Sequence, residues 1–357
     1  MRLRVALPIL AAAVLASAPG AGAAVPDPPK DEDLVIGVLD TGVAAQHEAF
    51  GKDQVVAWWD FTKTGESPDD RHFDERRPPY DGHGHGTVTA AMAAGLQPAT
   101  KATPSFAPGT KLAIAKVGTD EGAISGDIAA AIRWAVDVAK ADIINISIGT
   151  IVPVPGAPLH LWADDYDALT HARAQGVLVT VANGNGLGNL GLLPGLGSSS
   201  NYGASLSTLA VGAAGTAGAN KSYDPEVAAQ YTVTHPDNDT KNGYASGGGT
   251  SYASPLVAGF AARLLRAAAQ AGRPLPVGRL ERLIKWSARG TELPPVFEGY
   301  GVIDAAQLEA ATGHARNGTL PARPSPDADA IYVDEVTARQ KALNNGKVSP
   351  PPDEGAR

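Results

Sequence analysis

The sequence predicts an α/β fold in which helices flank a mainly parallel central sheet, and three observations predict it. Continuous aliphatic and β-branched runs recur along the chain, as strands buried on both faces require. Segments with apolar residues at helical spacing separate those runs. Strands that alternate with helices of this length imply parallel pairing through right-handed crossovers. Leu34–Leu39 (LVIGVL) is the first run and Leu112–Val117 (LAIAKV) the second. Asp127–Lys140 repeats Ile128, Ile132, Ala135, Val136 and Ala139 at helical spacing and leads into a third strand, Asp142–Ile148 (DIINISI). Ala163–Gln175 reads as a helix closed by Gly176, followed by the strand Val177–Ala182 (VLVTVA). Ser207–Ala214 supplies a fifth strand. An Ala-rich helix then runs from Tyr252 to about Ala271, and another from Val277 to Ala288.

The composition bounds what such a chain can do. With 357 residues, 44% hydrophobic and 18% charged, it is not a wholly disordered polypeptide. A net charge of −8 without a Lys/Arg run leaves no electrostatic footprint for nucleic acid. The cysteine count of 0 excludes disulfides, thiolate metal sites, iron–sulfur clusters and a thiol nucleophile. Aromatics are sparse at 6%, so the core must rest on small and aliphatic side chains.

The termini read differently from the body. Arg2 and Arg4 precede an apolar stretch, Val5–Ala16, too short to span a bilayer, and Ala21-Gly22-Ala23 offers a small-residue cleavage site. Residues 1–23 are therefore expected to be a secretory signal peptide, the other reading being an uncleaved anchor. A secreted or periplasmic protein follows, with no membrane association after cleavage. Residues 24–33 are expected as a flexible lead-in and 34–315 as the folded domain. Residues 316–357 read as a Pro-rich, mostly disordered tail with a short helix near Val333–Leu343.

Ligands of parallel α/β sheets bind at the carboxyl ends of the strands, which directs attention to polar residues just after each run. Asp40 directly follows the first strand; alone it could simply cap a turn. In Asp81-Gly82-His83-Gly84-His85-Gly86-Thr87, glycines on both sides of His85 let the backbone approach closely, although a turn with incidental histidines would look the same. In Gly249-Thr250-Ser251-Tyr252-Ala253-Ser254-Pro255, a serine stands where a Gly-rich approach meets a long helix, which suits a plain N-cap or a nucleophile. Together the three are more informative. A serine needs a base to become nucleophilic, and the base needs an acid to fix its tautomer and stabilise its cation. The chain offers one of each, in the order Asp, His, Ser.

These three segments resemble the motifs of the subtilisin-like serine proteases (subtilases), which carry their triad in this order. Four further segments resemble the family in the right sequence: Ala107-Pro108 through Lys116-Val117, Ile144–Gly149, Ala182–Asn185 and Gly299–Ala305. The resemblance covers about residues 33–312. It implies a three-layer subtilisin-like fold and, over 34–315, a catalytic domain acting as a serine endopeptidase on polypeptide substrates. In that reading Asp40, His85 and Ser251 form the catalytic triad and Asn185 completes the oxyanion hole. Ser147, Ile148 and Gly149 would lie against the substrate backbone. No cofactor and no metal are expected.

Two departures from the family pattern matter. Val88 stands where the family often has histidine, a change expected to touch packing more than chemistry. Residues 215–246 lack the family's Phe-Ser…Gly and Ala-Pro-Gly segments, which leaves the strands and substrate contacts of that stretch illegible. Only residues 24–39 separate the signal from Asp40, so no inhibitory propeptide domain is expected between them. That implies unaided folding, or an inhibitor or folding partner acting in trans.

Rival readings of single motifs are weaker. His83 lies two residues from His85, but His85 is the histidine that precedes Gly-Thr. Asp81, His83 and His85 could form part of a metal site, although such a site needs a further ligand. Residues 186–191 (GLGNLG) have dinucleotide-binding spacing, but no helical pattern follows and residues 205–223 contain no acid. A catalytically impaired subtilase-like binding protein is the alternative at the level of function, against which the retention of all four site side chains argues. A peptide ligase or esterase using the same triad is a variant of the first reading.

Overall fold

The computed structural model describes residues 34–63, 70–149, 163–185, 201–214, 225–230, 232–290 and 298–322. The expected signal peptide, the lead-in, the tail beyond residue 322 and the GLGNLG segment lie outside the described residues. Among the described residues, seven strands form one sheet in the order β2-β3-β1-β4-β5-β6-β7. They are β1 (Val35–Asp40), β2 (Val55–Asp60), β3 (Lys111–Lys116), β4 (Ile143–Ile146), β5 (Leu178–Ala182), β6 (Thr208–Ala214) and β7 (Val227–Gln230). Every neighbouring pair is parallel.

β1 shows why the aliphatic runs become strands. All six residues are buried, and alternate side chains enter different cores. Ile36 and Val38 face α1 (His85–Ala94) and α4 (Thr250–Gln270); Val35 and Leu39 face α2 (Ile128–Asp137) and α3 (Ala163–Ala174). Helices therefore cover both faces of the sheet, giving the three-layer α/β architecture. Small side chains dominate one layer: Ala90, Ala91, Ala93 and Ala94 of α1 share a core with Ala258, Ala261 and Ala262 of α4.

Four features extend the sequence reading. β2 (VVAWWD) is an edge strand whose buried residues include Trp58 and Trp59, so it lacks the aliphatic signature. The 215–246 stretch, expected to be illegible, supplies β7 and then an antiparallel hairpin, β8 (Thr232–Pro236) with β9 (Tyr244–Gly248). α5 (Val277–Ser287) matches its periodic pattern, but α6 (Ala305–Asn317) buries only Ala311, Thr312 and Ala315 and has little amphipathic signal. A capping box between Asp304 and Gln307 starts α6, and Gly318, at φ 63°, ends it. The packed body thus continues past the expected boundary at 315, because Leu320 covers the core beyond the cap. No described helix is long and apolar enough to cross a membrane.

Candidate active site

Asp40 and His85 meet at the carboxyl ends of the strands. Asp40, the last residue of β1, is fully buried. Its Oδ1 accepts from His85 Nδ1 at 2.7 Å and from the Thr41 amide at 2.8 Å, while Oδ2 accepts from the Thr89 hydroxyl at 3.2 Å. The Asp40 bond sets the Nδ1–H tautomer and leaves Nε2 as the acceptor. His85 is the first residue of α1, and its N-cap, Gly84, has φ 93° and no side chain to cap with. Gly86 allows the close approach expected of this loop: a Cβ there would lie 2.2 Å from the Gly42 carbonyl oxygen. Burial works to lower the His85 basicity. The Asp40 charge and hydrogen bond, with the Asp81 charge behind them, outweigh it and hold the imidazole above the usual histidine range. The side chain keeps 21% of its surface exposed, enough to meet a substrate.

His83, the neighbouring alternative, is exposed, with its ring centroid 6.2 Å from that of His85. Asp81, weighed as a metal ligand, directs both carboxylate oxygens at protein donors. Among the described residues no group of three or more His, Cys, Asp or Glu side chains gathers as a metal cluster.

Ser251 is the second residue of α4. Its amide lies among the first-turn donors that a helix leaves without intrahelical partners. The Ser251 hydroxyl donates to the Ser147 carbonyl at 3.1 Å. Pro255 sits one turn later inside the helix and has no N–H to give the Ser251 carbonyl. The Ser147 hydroxyl donates to that carbonyl instead, at 2.9 Å, so the two serines exchange a pair of hydrogen bonds. Beneath them Asn145, fully buried, donates to the Ser147 hydroxyl at 2.9 Å and accepts from Ser254 at 2.7 Å and from Thr180 at 3.2 Å. Ser254, the other serine of the motif, is buried in this network.

Asn185 lies against the start of α4. Its Oδ1 accepts from the Thr250 amide at 2.9 Å and the Thr250 hydroxyl at 3.2 Å, which orients the carboxamide beside the residue preceding Ser251. Asn183 is fully buried at the end of β5, with its amide bonded to Val211 O at 2.9 Å. Ser147 is buried after β4, whereas Ile148 and Gly149 are half-buried beside it. The hairpin brings in two residues that sequence reasoning missed. His235 lies 5.4 Å, centroid to centroid, from Tyr252, whose ring lies 5.9 Å from His85. Asn238 donates to the Asp81 carbonyl at 3.0 Å. Thr89 and Tyr252 were also missed, although each stands within four residues of a motif histidine or serine.

A buried carboxylate bonded to a histidine, and a serine at a helix start, both at the carboxyl edge of a parallel sheet, are groups of the kinds that serine hydrolases use. The chain belongs to the subtilase family, whose model matches residues 31–302. Subtilisin DY of Bacillus licheniformis is 32% identical over 242 residues, covering 66% of this chain and 78% of that protein. An extracellular protease of Xanthomonas campestris is 28% identical over 80% of this chain, which spans 52% of the length of that relative. Among solved structures, the self-cleaved protease domain of PatA has a TM-score of 0.60 at 23% identity, covering 82% of this chain and 99% of that one. That similarity concerns the fold.

Proposed function

We propose that this chain is an exported serine endopeptidase that cleaves polypeptides through an acyl-enzyme on Ser251. The observation that carries the reading is the 2.7 Å bond from His85 Nδ1 to buried Asp40, which orients a base whose second nitrogen can serve the cleft. In this mechanism the Ser251 hydroxyl rotates from the Ser147 carbonyl to His85 Nε2. Its oxygen bonds the scissile carbonyl carbon while its proton passes to Nε2. The Asn185 carboxamide and the Ser251 amide stabilise the resulting oxyanion. Collapse breaks the C–N bond, His85 returns the proton to the departing amine, and water then hydrolyses the acyl-enzyme by the same route. Ser147, Ile148 and Gly149 would run beside the substrate backbone. Export rests on the signal pattern of residues 1–23, and an inhibitor or folding partner in trans remains part of the proposal.

One observation favours the alternative, a catalytically impaired binding protein: the Ser251 hydroxyl is hydrogen-bonded to Ser147. Labelling with a fluorophosphonate decides between them. We expect a single adduct on Ser251, lost in His85→Ala and largely kept in His83→Ala. An adduct on Ser254, equal loss in both histidine variants, or no labelling would overturn the assignment.

A further inference from the structure

We propose that Asp81 is a positioning residue for the base, holding the peptide units on both sides of His85 from a single buried carboxylate. The inference rests on His85 acting as the base in the proposed function, and it adds a residue outside the triad. Asp81 is 9% exposed. Its Oδ1 accepts from the Gly84 amide at 2.8 Å, the Thr41 hydroxyl at 2.9 Å and the His83 amide at 3.2 Å. Its Oδ2 accepts from the Thr87 amide at 2.8 Å and the Thr87 hydroxyl at 2.7 Å. Thr41 passes the restraint on, because its hydroxyl oxygen accepts from the Gly86 amide at 2.8 Å. Residues 84 and 86 are thus both tethered, one directly and one through Thr41, with His85 between them.

This arrangement performs two tasks at once. The N-cap of α1 is a glycine, so the donors of its first turn need an outside acceptor, and a carboxylate is the favourable charge at that end. The same tether fixes the His85 backbone against the Asp40–Thr41 turn. The turn is held from its other side by Lys116, which donates to the Thr41 carbonyl and, at 2.9 Å, to Asp120. Misplacing a catalytic group by about 1 Å can cost on the order of 10²-fold in rate. A group that sets the His85 backbone therefore acts on turnover without touching substrate.

Among the described residues, the titratable groups around His85 are Asp40 on β1, Asp81 and His83 on its own loop, and Tyr252 on α4, with His235 behind Tyr252. Asp40 and Asp81 are the acids whose charges favour the imidazolium. Asp81→Asn removes one negative charge, so His85 should release its proton at lower pH. It also leaves an amide N–H facing donors, which loosens the tether.

The test uses full-length protein with three readouts: steady-state kinetics on a peptide amide, active-site titration, and NMR titration of His85 in a Ser251→Ala background. For Asp81→Asn we expect kcat per titrated site to fall by about 10- to 100-fold with KM within about twofold. The ascending limb of kcat/KM and the His85 midpoint should both move to lower pH. Thr41→Val cuts the link to Gly86 but keeps the charge; kcat should fall while the limb stays in place. Should Asp81→Asn fail to fold, Thr41→Val carries the test, and an unchanged kcat there overturns the proposal. An Asp81→Asn protein with fewer active sites but wild-type kcat and limb would show a mere helix cap and overturn it too. If the unaltered chain neither cleaves peptides nor takes the phosphonate, the proposed function fails. The NMR midpoint still tests Asp81 in that event, and an unmoved midpoint overturns its role.

Discussion

At the scale of the residue, the two asparagines after β5 have different surroundings and should have different roles. The carboxamide oxygen of Asn185 accepts from the Thr250 amide and hydroxyl, which orients the group beside the residue preceding Ser251. In the proposed mechanism its N–H donates to the oxyanion. Charge on that oxygen exists only in the transition state, so the interaction should weigh on turnover more than on ground-state binding. Asn185→Ala is expected to lower kcat by about 10²–10³, the loss known for such a donor in subtilisin, with KM nearly unchanged. Asn183 is fully buried, and its alanine variant should lose less than about tenfold in kcat while lowering the melting temperature. If Asn183→Ala proves the more damaging in kcat, the assignment of this segment is wrong. The pH profile belongs to the same scale. His85 must be neutral to accept a proton, and its basicity is raised by Asp40 and Asp81 against the opposing effect of burial. The ascending limb of kcat/KM should therefore lie above the ordinary histidine value of about 6.5. A limb at or below that value would contradict the electrostatics of the site.

At the scale of the element, the start of α4 shows how a proline shapes the setting of Ser251. Pro255 deprives the Ser251 carbonyl of its helical donor, and Ser147 takes the vacancy, joining the helix start to the end of β4. Pro255→Ala restores an N–H that competes with the Ser147 hydroxyl for that carbonyl. The helix should gain stability, since an interior proline costs about 3 kcal/mol, while kcat falls by about tenfold or more as Ser251 shifts. Thermal melts and kinetics on the same preparation would check both signs, and a stabilised variant with unchanged kcat would defeat the argument. What was legible in the sequence follows element chemistry. β1, β3, β4 and β5 are buried on both faces and announce themselves as aliphatic runs. β2 hides behind Trp58 and Trp59, β7 (VAAQ) carries a single branched aliphatic residue, and β9 (YASGG) consists mostly of small residues that carry no apolar alternation. Asp40, His85 and Ser251 stood out in the sequence because each lies in or beside a Gly-containing turn at a strand or helix end. Asp81 was visible as a residue but not as a tether, because its five donors come from three separate stretches of chain: Thr41, the 83–84 turn and Thr87.

At the scale of the whole molecule, α3, α5 and the β6–β7 side of the sheet are joined by buried charge, and the last helix packs beside them. Arg173 of α3 pairs with Glu281 of α5 at 2.9 Å; Lys285 then bridges Glu281, also at 2.9 Å, to Glu226 at 2.7 Å. Glu226 also accepts from the Ala210 amide, so the cluster ties two helices to β6 and the entry to β7. Burial pushes the Glu281 carboxyl up, but Lys285 and Arg173 prevail and hold it below the usual range, as a paired buried acid requires. α6 completes the body by packing on α4 and α5, and its end is held by more than helix hydrogen bonds. The Thr319 amide returns to the His314 carbonyl, Arg279 donates to the Gly318 carbonyl, and Leu320 lies on the core. Composition alone places the boundary at 315, but these contacts place it some residues later. A chain ending at Arg316 loses the left-handed cap and the Leu320 cover, together worth about 1–2 kcal/mol. For a domain of this size that corresponds to a drop in melting temperature of about 2–8 °C. A chain ending at Ala322 removes only the Pro-rich remainder and should melt with the full-length protein. Equal melting temperatures for the two truncations would show that the cap and Leu320 contribute nothing; a loss in the Ala322 chain would show that the remainder packs on the body.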